Sequence, residues 1–368
     1  MSKSYYSLGL MSGTSADGVD ASIIQSDGDI KYEVILDKYF VYNQDIYTNI
    51  HDLKEEINDS RDLNNLSKKI NSLEKKITLF HVDIVNKIMT DFKSNIDLIG
   101  FHGQTIFHNA KEKISKQLGD GKLLSRSTKK IVIYNFRQND IENGGHGAPL
   151  TPIFHKLLKN KFNIKNATFV NIGGITNITS IKSSDDMYGT DIGPGMCLID
   201  RWLRKQSKKN FDEDGNLADK GKVNEKVLDK LFKNFNKKEN VLIADKIQSY
   251  DTKYFDLSLI KNLSTKDGAA TLTEFTAQII ISALKLTKFN NEKIILCGGG
   301  RKNKFLVKKI KKENINIKLI DEYGINGDFV ESQAFAYIAI RSYLNLPISF
   351  PKTTGVKKPC IGGTVIKI

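Results

Sequence analysis

Two short glycine turns, each set between runs of strand-forming residues, constrain this chain more than any other feature. The first is Gly9-Leu10-Met11-Ser12-Gly13-Thr14-Ser15-Ala16-Asp17-Gly18-Val19-Asp20 and the second is Asn171-Ile172-Gly173-Gly174-Ile175-Thr176-Asn177. An apolar run precedes each turn (residues 6–10 and 168–172) and another follows it (19–24 and 178–181). Apolar runs favour strands and glycine supplies the turn, so each reads as a β-hairpin. One such hairpin opens each half of the chain, which predicts a duplicated lobe.

Between and beyond them, strands alternate with helices. Residues 31–40, 97–101, 130–134 and 293–297 read as strands, and 267–285 and 329–344 as helices. Leu63, Leu66, Ile70, Leu73, Ile77, Phe80, Ile84 and Ile88 recur in steps of three and four, predicting one long amphipathic helix packed on a sheet. The expectation is two α/β lobes with mixed sheets. Their predicted extents are 1–135 for the N-terminal lobe and 136–345 for the C-terminal lobe, with 346–368 a tail returning to the N-terminal lobe.

Composition narrows the class. A chain of 368 residues, 40% hydrophobic, can bury more than one core, since single cores stop growing near ~250–300 residues. No apolar run approaches the ~18–20 residues that span a bilayer, and the N-terminus has no signal-peptide pattern. A cytoplasmic protein without membrane contact is expected. Cys197, Cys297 and Cys360 are odd in number and lack a C-x-x-C pair, which argues against a disulfide framework or structural zinc. His102, His108 and His146 show no metal-ligand spacing, so no protein metal cage is expected. The net charge of +14 comes from lysines scattered through segments such as 205–210 and 308–316. With no recognition-helix or aromatic-basic signature beside them, they read as solvated helix faces, not as a nucleic-acid footprint.

Several segments could carry chemistry. In the first hairpin, glycine lets backbone N–H groups approach an anion and the hydroxyls add donors. The Walker pattern is absent, so phosphate would be held by the hairpin itself, although a purely structural hairpin has a similar composition. The second hairpin repeats the design, and two together could grip a polyphosphate. Tyr188-Gly189-Thr190-Asp191-Ile192-Gly193-Pro194-Gly195 sets one carboxylate in a predicted glycine- and proline-rich turn, as a general base or as an ordinary turn residue. Gly298-Gly299-Gly300-Arg301-Lys302-Asn303 falls at a strand-to-helix junction suited to a nucleotide. Arg137 to Asp140 and Gly144 to Leu150 are dense in polar donors and glycine, which suits a sugar. Glu331 lies three residues after Asp328, the spacing of a capping box.

Seven collinear motifs complete the picture. They are Gly9 to Asp20, Phe101-His-Gly-Gln-Thr-Ile-Phe-His108, Gly144 to Leu150, Asn171 to Ile175, Gly189 to Gly195, Cys297 to Asn303, and Glu331-Ser-Gln-Ala-Phe-Ala-Tyr337. Together they closely resemble the anhydro-N-acetylmuramic acid kinases over nearly the whole chain.

The resemblance implies a two-lobed actin-like ATPase fold, with ribonuclease H-like duplicated lobes of hexokinase type and a central cleft. It implies hydrolytic opening of a 1,6-anhydro amino sugar and phosphorylation of O6 from ATP, with Mg2+, in peptidoglycan recycling; a homodimer is compatible with it. Carried onto this sequence, Asp191 would be the catalytic base. Ser12, Gly13, Thr14, Ser15, Ala16, Asp17, Gly18 and Val19 would hold the ATP phosphates, with Asn171, Gly173, Gly174, Gly298, Gly299, Gly300 and Asn303 also on the nucleotide. His102, Gln104, Arg137, Gly145, Gly147, Ala148, Pro149 and Glu331 would bind the sugar. Three positions depart from the family pattern: Ala16 where Met is common, His146 where Gln is common, and Met196 where Asn is usual. The alternatives are a kinase of another free sugar or small acid, and a non-enzymatic nucleotide- or nucleic-acid-binding protein.

Overall fold

A computed structural model describes residues 3–207, 209–239, 247–286, 293–313 and 316–367. The chain divides into two compact units, one of Met1–Lys161 with Asp328–Ile368 and one of Phe162–Gly327.

The first unit begins with a meander of β1 (Tyr5–Ser12), β2 (Gly18–Ser26) and β3 (Tyr32–Val41), followed by helices α1 (Gln44–Glu56), α2 (Asp62–Asn65) and α3 (Ser67–Asp91). It continues through β4 (Leu98–Asn109), β5 (Ile114–Leu118), α4 (Gly121–Thr128), β6 (Ile131–Tyr134), α5 (Gln138–Glu142) and α6 (Pro152–Lys161). The turn between β2 and β3 is built by Asp27, whose Oδ1 accepts the N–H groups of Asp29, Ile30 and Lys31 at 3.0, 3.1 and 2.9 Å. Gly28 takes the left-handed φ of +79° that this turn needs.

The second unit holds β7 (Ala167–Ile172), β8 (Ile175–Ile181), β9 (Met187–Pro194), α7 (Cys197–Gln206), α8 (Glu225–Glu239), α9 (Thr265–Leu286), β10 (Lys293–Cys297), α10 (Lys304–Glu313) and β11 (Ile317–Leu319). The chain then returns to the first unit with α11 (Val330–Tyr343), α12 (Pro351–Thr354) and β12 (Thr364–Ile366), the last pairing antiparallel with β6.

Strand order shows the duplication directly. The first sheet runs β3-β2-β1-β4-β6 and ends in β12, with β5 on the side of β4; the second runs β9-β8-β7-β10-β11. In each, three antiparallel strands are followed by two that run parallel to the first strand of the meander. This is a mixed α/β fold of ribonuclease H-like sheets. One core gathers around Leu8, Ile23, Ile77 and Phe101, the other around Ile172, Trp202, Phe275 and Leu296.

The predicted boundaries at 135/136 and 345/346 differ from the observed division, which places 136–161 and 328–345 in the first unit. The cause is α11. Almost every residue from Val330 to Ser342 is buried, and the helix lies on β1, β2 and β4. Gly9 and Gly100 admit it: a side chain at Gly9 would strike the Ser332 carbonyl, and one at Gly100 would stand 2.9 Å from Ala339 Cβ.

Two local readings also change. Leu66, at φ −96° and ψ 12°, interrupts the helix predicted from Leu63, leaving α2 and α3 as separate pieces. Strand β4 does not stop at its predicted end, Phe101, but runs on through His102-Gly103-Gln104-Thr105 to Asn109. Among the described residues, no helix is long and apolar enough to cross a membrane, and Cys197, Cys297 and Cys360 are free thiols.

Candidate active site

In the first unit, the β1–β2 turn divides its eight predicted phosphate ligands into anchors and an exposed tip. Ser12 Oγ donates to the Gly18 carbonyl at 2.8 Å and lies 2.6 Å from the Tyr42 hydroxyl, so this hydroxyl closes the hairpin from inside. Ala16, at φ +55°, and Val19 are fully buried. Gly18 is crowded, since a methyl group there would stand 2.6 Å from the Tyr39 ring. Thr14, Ser15 and Asp17 are exposed, with Ser15 Oγ donating to Asp17 Oδ1 at 2.6 Å. At Gly13 an added methyl would meet only Ser15 Oγ, at 3.9 Å. Space for a ligand therefore lies at the tip.

Gln104, expected on the sugar, reaches this hairpin. It is fully buried, and its Nε2 donates to the Gly13 carbonyl at 3.1 Å.

Other predicted sugar ligands of the first unit do converge. Arg137 donates from Nε and Nη2 to His102 Nε2 at 3.3 and 2.9 Å, and from Nη1 to the Gly147 carbonyl at 2.7 Å. His102 Nδ1 faces the Gly103 carbonyl at 2.8 Å, so it carries the ring proton and Nε2 accepts. Burial, reinforced by the Arg137 charge, pushes the His102 pKa down to about 3 and keeps the ring neutral. His108 is pushed down to about 3 by burial, then by Arg137 and His146.

Around Arg137, the loop from Gly144 to Pro149 is folded onto Asp140. Asp140 Oδ1 accepts the Gly147 N–H at 2.7 Å, and Oδ2 accepts the Thr354 hydroxyl at 2.5 Å. A side chain at Gly145 would collide with that carboxylate. The Ala148–Pro149 peptide is cis. At His146 the backbone N–H donates to the Thr354 carbonyl at 2.7 Å, a bond that does not depend on whether the residue is His or Gln. The His102 ring packs 4.5 Å from that of Phe335, one helical turn beyond Glu331 on α11. Phe329, and not Asp328, is the N-cap of α11, and its side chain provides no capping hydrogen bond.

In the second unit, Asp191 sits within strand β9, opposite Asn177 on β8, and not in the glycine- and proline-rich turn expected of it. It is 8% exposed. Its Oδ2 accepts the Tyr250 N–H at 2.9 Å and its own N–H donates to the Gln248 carbonyl at 3.1 Å. Thr190 Oγ1 accepts the Gln248 N–H at 2.9 Å. The 248–250 segment thus orients the carboxylate, and nothing in its composition singles it out in sequence.

The β7–β8 turn is braced from behind. The Gly173 carbonyl accepts the Met196 N–H at 2.9 Å, and the Gly174 carbonyl accepts those of Gly195 and Cys197 at 2.9 and 3.2 Å. Met196 makes its contact through the backbone, which survives the departure from Asn, while its side chain packs on the core.

The three glycines after β10 are not equivalent. A methyl at Gly298 (φ +79°) would stand 2.5 Å from Asn171 Oδ1, and one at Gly300 would strike Ile172, whereas Gly299 faces open space. Arg301 fixes this turn, donating to Asp321 Oδ2 and Oδ1 at 2.7 and 2.9 Å and to the Gly298 carbonyl at 3.1 Å. Its hydrogen bonds hold the Asp321 carboxyl below the usual carboxylate range. Asn303 caps α10, its Oδ1 accepting the Leu306 N–H at 2.9 Å, while its Nδ2 is buried without a partner among the described residues. Among those residues, no group of three or more His, Cys, Asp or Glu converges as a metal cage.

Fold and geometry define a duplicated ribonuclease H-like α/β protein with a glycine hairpin in each unit. The family model for anhydro-N-acetylmuramic acid kinase matches residues 5–367. A protein of that name from Pelagibacter ubique is 53% identical over 378 residues, covering 100% of both chains. Proteins of the same name from Zymomonas mobilis and Methylorubrum populi are 36% and 34% identical, each over 97% of this chain and 98% of the relative. The chain belongs to the anhydro-N-acetylmuramic acid kinase family.

Proposed function

We propose that this chain opens the 1,6-anhydro ring of anhydro-N-acetylmuramic acid with water and phosphorylates O6 from ATP, giving N-acetylmuramate 6-phosphate for peptidoglycan recycling in the cytoplasm. The observation that carries the reading is the Asp191 carboxylate, held in a strand by a backbone N–H on one oxygen, within a chain of a kinase family.

An internal acetal offers no free hydroxyl for phosphorylation, so water must supply one oxygen. Its oxygen bonds to the anomeric carbon as the bond from that carbon to O6 breaks. Asp191 takes one proton from the water, and the other stays on the new anomeric hydroxyl. The released O6 bonds to the γ-phosphorus as the bond to ADP breaks.

Arg137 supplies fixed donors for the sugar, its guanidinium held by a neutral His102 that cannot repel it by charge. Glu331, His102 and the 145–149 loop complete the proposed sugar ligands. Gly13, Gly173 and Gly299 leave room where a side chain would block phosphate or ribose. Asn303 adds a buried amide donor for the nucleotide. Magnesium takes oxygen ligands and keeps waters and phosphate oxygens; Asp17 at the exposed tip is a suitable donor, and the ion would neutralise phosphate charge.

Asp191→Asn should keep ATP binding and lose turnover by ~10²–10⁴-fold, the usual contribution of a positioned base. With oxygen-18 water, mass spectrometry of the product should find the label at the anomeric position. Phosphorylation of plain hexoses alone, or turnover at the wild-type rate in Asp191→Asn, would overturn the assignment.

A further inference from the structure

The tip of the first hairpin has its carbonyl groups captured one after another by its own unit. The Gly13 carbonyl accepts the Ala16 N–H at 3.2 Å and Gln104 Nε2 at 3.1 Å. Thr14 offers its carbonyl to Lys54 Nζ at 3.2 Å, and Ser15 offers its own to His51 Nε2 at 3.1 Å. A carbonyl only accepts, so His51 carries a proton on Nε2 in this contact. Lys54 and His51 are three residues apart on α1 and share one face of it. That helix is well anchored, with Asn43 Oδ1 accepting the Ile46 N–H at 2.9 Å and Ile50 and Leu53 buried. The Tyr47 ring packs 4.4 Å from His51.

Peptide planarity converts this capture into a direction. In a trans peptide the N–H of one residue is antiparallel to the C=O of the residue before it. Holding the Gly13 and Thr14 carbonyls toward the protein therefore turns the N–H groups of Thr14 and Ser15 away from it. The second hairpin reaches the same result with backbone donors, Gly195, Met196 and Cys197 holding the Gly173 and Gly174 carbonyls.

Resting on the reading of the first hairpin as phosphate-binding, we infer that Lys54 and Gln104 are its positioning residues, presetting the Thr14 and Ser15 amides toward the ATP phosphates, with His51 holding the Ser15 carbonyl beside them. Presetting matters because an exposed tip that had to order itself on binding would lose affinity to the conformational entropy of the residues it fixed. Neither Lys54 nor His51 lies in any of the seven motifs.

The test uses the full-length protein, with ADP and adenosine binding by calorimetry, KM for ATP and for the anhydro sugar, and thermal melting. Lys54→Met should weaken ADP about tenfold, as expected for one lost charged hydrogen bond, while adenosine affinity, sugar KM and melting temperature stay unchanged. Lys54→Gln, which can still donate, should recover most of the loss; a Gln variant as weak as Met would overturn positioning in favour of charge alone. Gly13→Val checks the underlying reading, because it fills space that is open in the free protein. If Gly13→Val weakens ADP but not adenosine and Lys54→Met changes neither, the positioning role fails while the hairpin stands. If Gly13→Val leaves ADP binding intact, the phosphate reading fails and the positioning role fails with it.

Discussion

At residues 298–300, three identical side chains meet three different surroundings, and their substitutions should separate accordingly. Gly299→Ala meets nothing in the protein, so stability should change by no more than about 0.5 kcal/mol. Its KM for ATP should rise instead. Gly298→Ala places a Cβ against Asn171 at a left-handed φ, and should cost about 2 kcal/mol or more before any ligand is considered. Urea unfolding beside steady-state kinetics checks both; a Gly299→Ala variant that melts early with normal KM would count against its place on the nucleotide. Motif spelling marked all three glycines and could not rank them. The same holds for Ser12, whose hydroxyl is turned inward, against Thr14 at the tip. Asp191 was legible as a candidate, while its strand setting and its Tyr250 partner, 59 residues away, were not.

At the scale of elements, the N-cap residue of α11, Phe329, gives no side-chain hydrogen bond, and a buried network holds the first turn. Gln333 Nε2 donates to both oxygens of Asp37 at 3.1 and 3.0 Å, and Gln333 Oε1 accepts the Tyr32 hydroxyl at 2.6 Å. Ser22 Oγ donates to Asp37 at 2.6 Å and lies 2.6 Å from Ser332 Oγ. Burial pushes the Asp37 carboxyl up, against the lowering effect of Ser22 and Gln333. Gln333→Leu removes partners from Asp37 and Tyr32 at once and should cost about 1–3 kcal/mol. Because Glu331 shares that turn, sugar KM should also rise while KM for ATP stays constant. Urea unfolding and a two-substrate KM comparison measure this, and an unchanged sugar KM would remove Glu331 from the sugar site. Apolar composition and spacing made α11 readable as a helix. Its partners on β2 and β3 lie some 300 positions earlier and left no local trace.

For the molecule as a whole, every one of the 6 histidines lies in residues 1–161 of the first unit, and the 1 tryptophan, Trp202, lies in the core of the second. Burial lowers the pKa of His81 to about 4 and those of His102, His108 and His155 to about 3. These rings stay neutral when folded but take up protons when unfolded, from an ordinary pKa near ~6.5. Their effect on stability is thus absent above that pH. As pH falls from there toward the folded values, stability is lost at up to about 1.4 kcal/mol per pH unit for each ring. The second unit has no histidine and escapes this source of acid lability. Thermal melts at pH 7 and pH 5 should show an early far-UV circular dichroism phase appearing at pH 5, ahead of the Trp202 fluorescence change. Coincident transitions at both pH values would contradict separate acid sensitivity of the units.

By itself the sequence determined the duplicated α/β plan, the family and the short segments that carry the candidate chemistry. Strand runs, glycine turns and helical periodicity are written in neighbouring residues, so they can be read locally. Only the tertiary structure decided which member of each motif faces open space, which residues brace the hairpins, and to which unit α11 belongs. Those outcomes depend on contacts between segments distant in the chain, such as the Ser7 hydroxyl on the Ala336 carbonyl at 2.8 Å, and local patterning cannot specify a partner that far away.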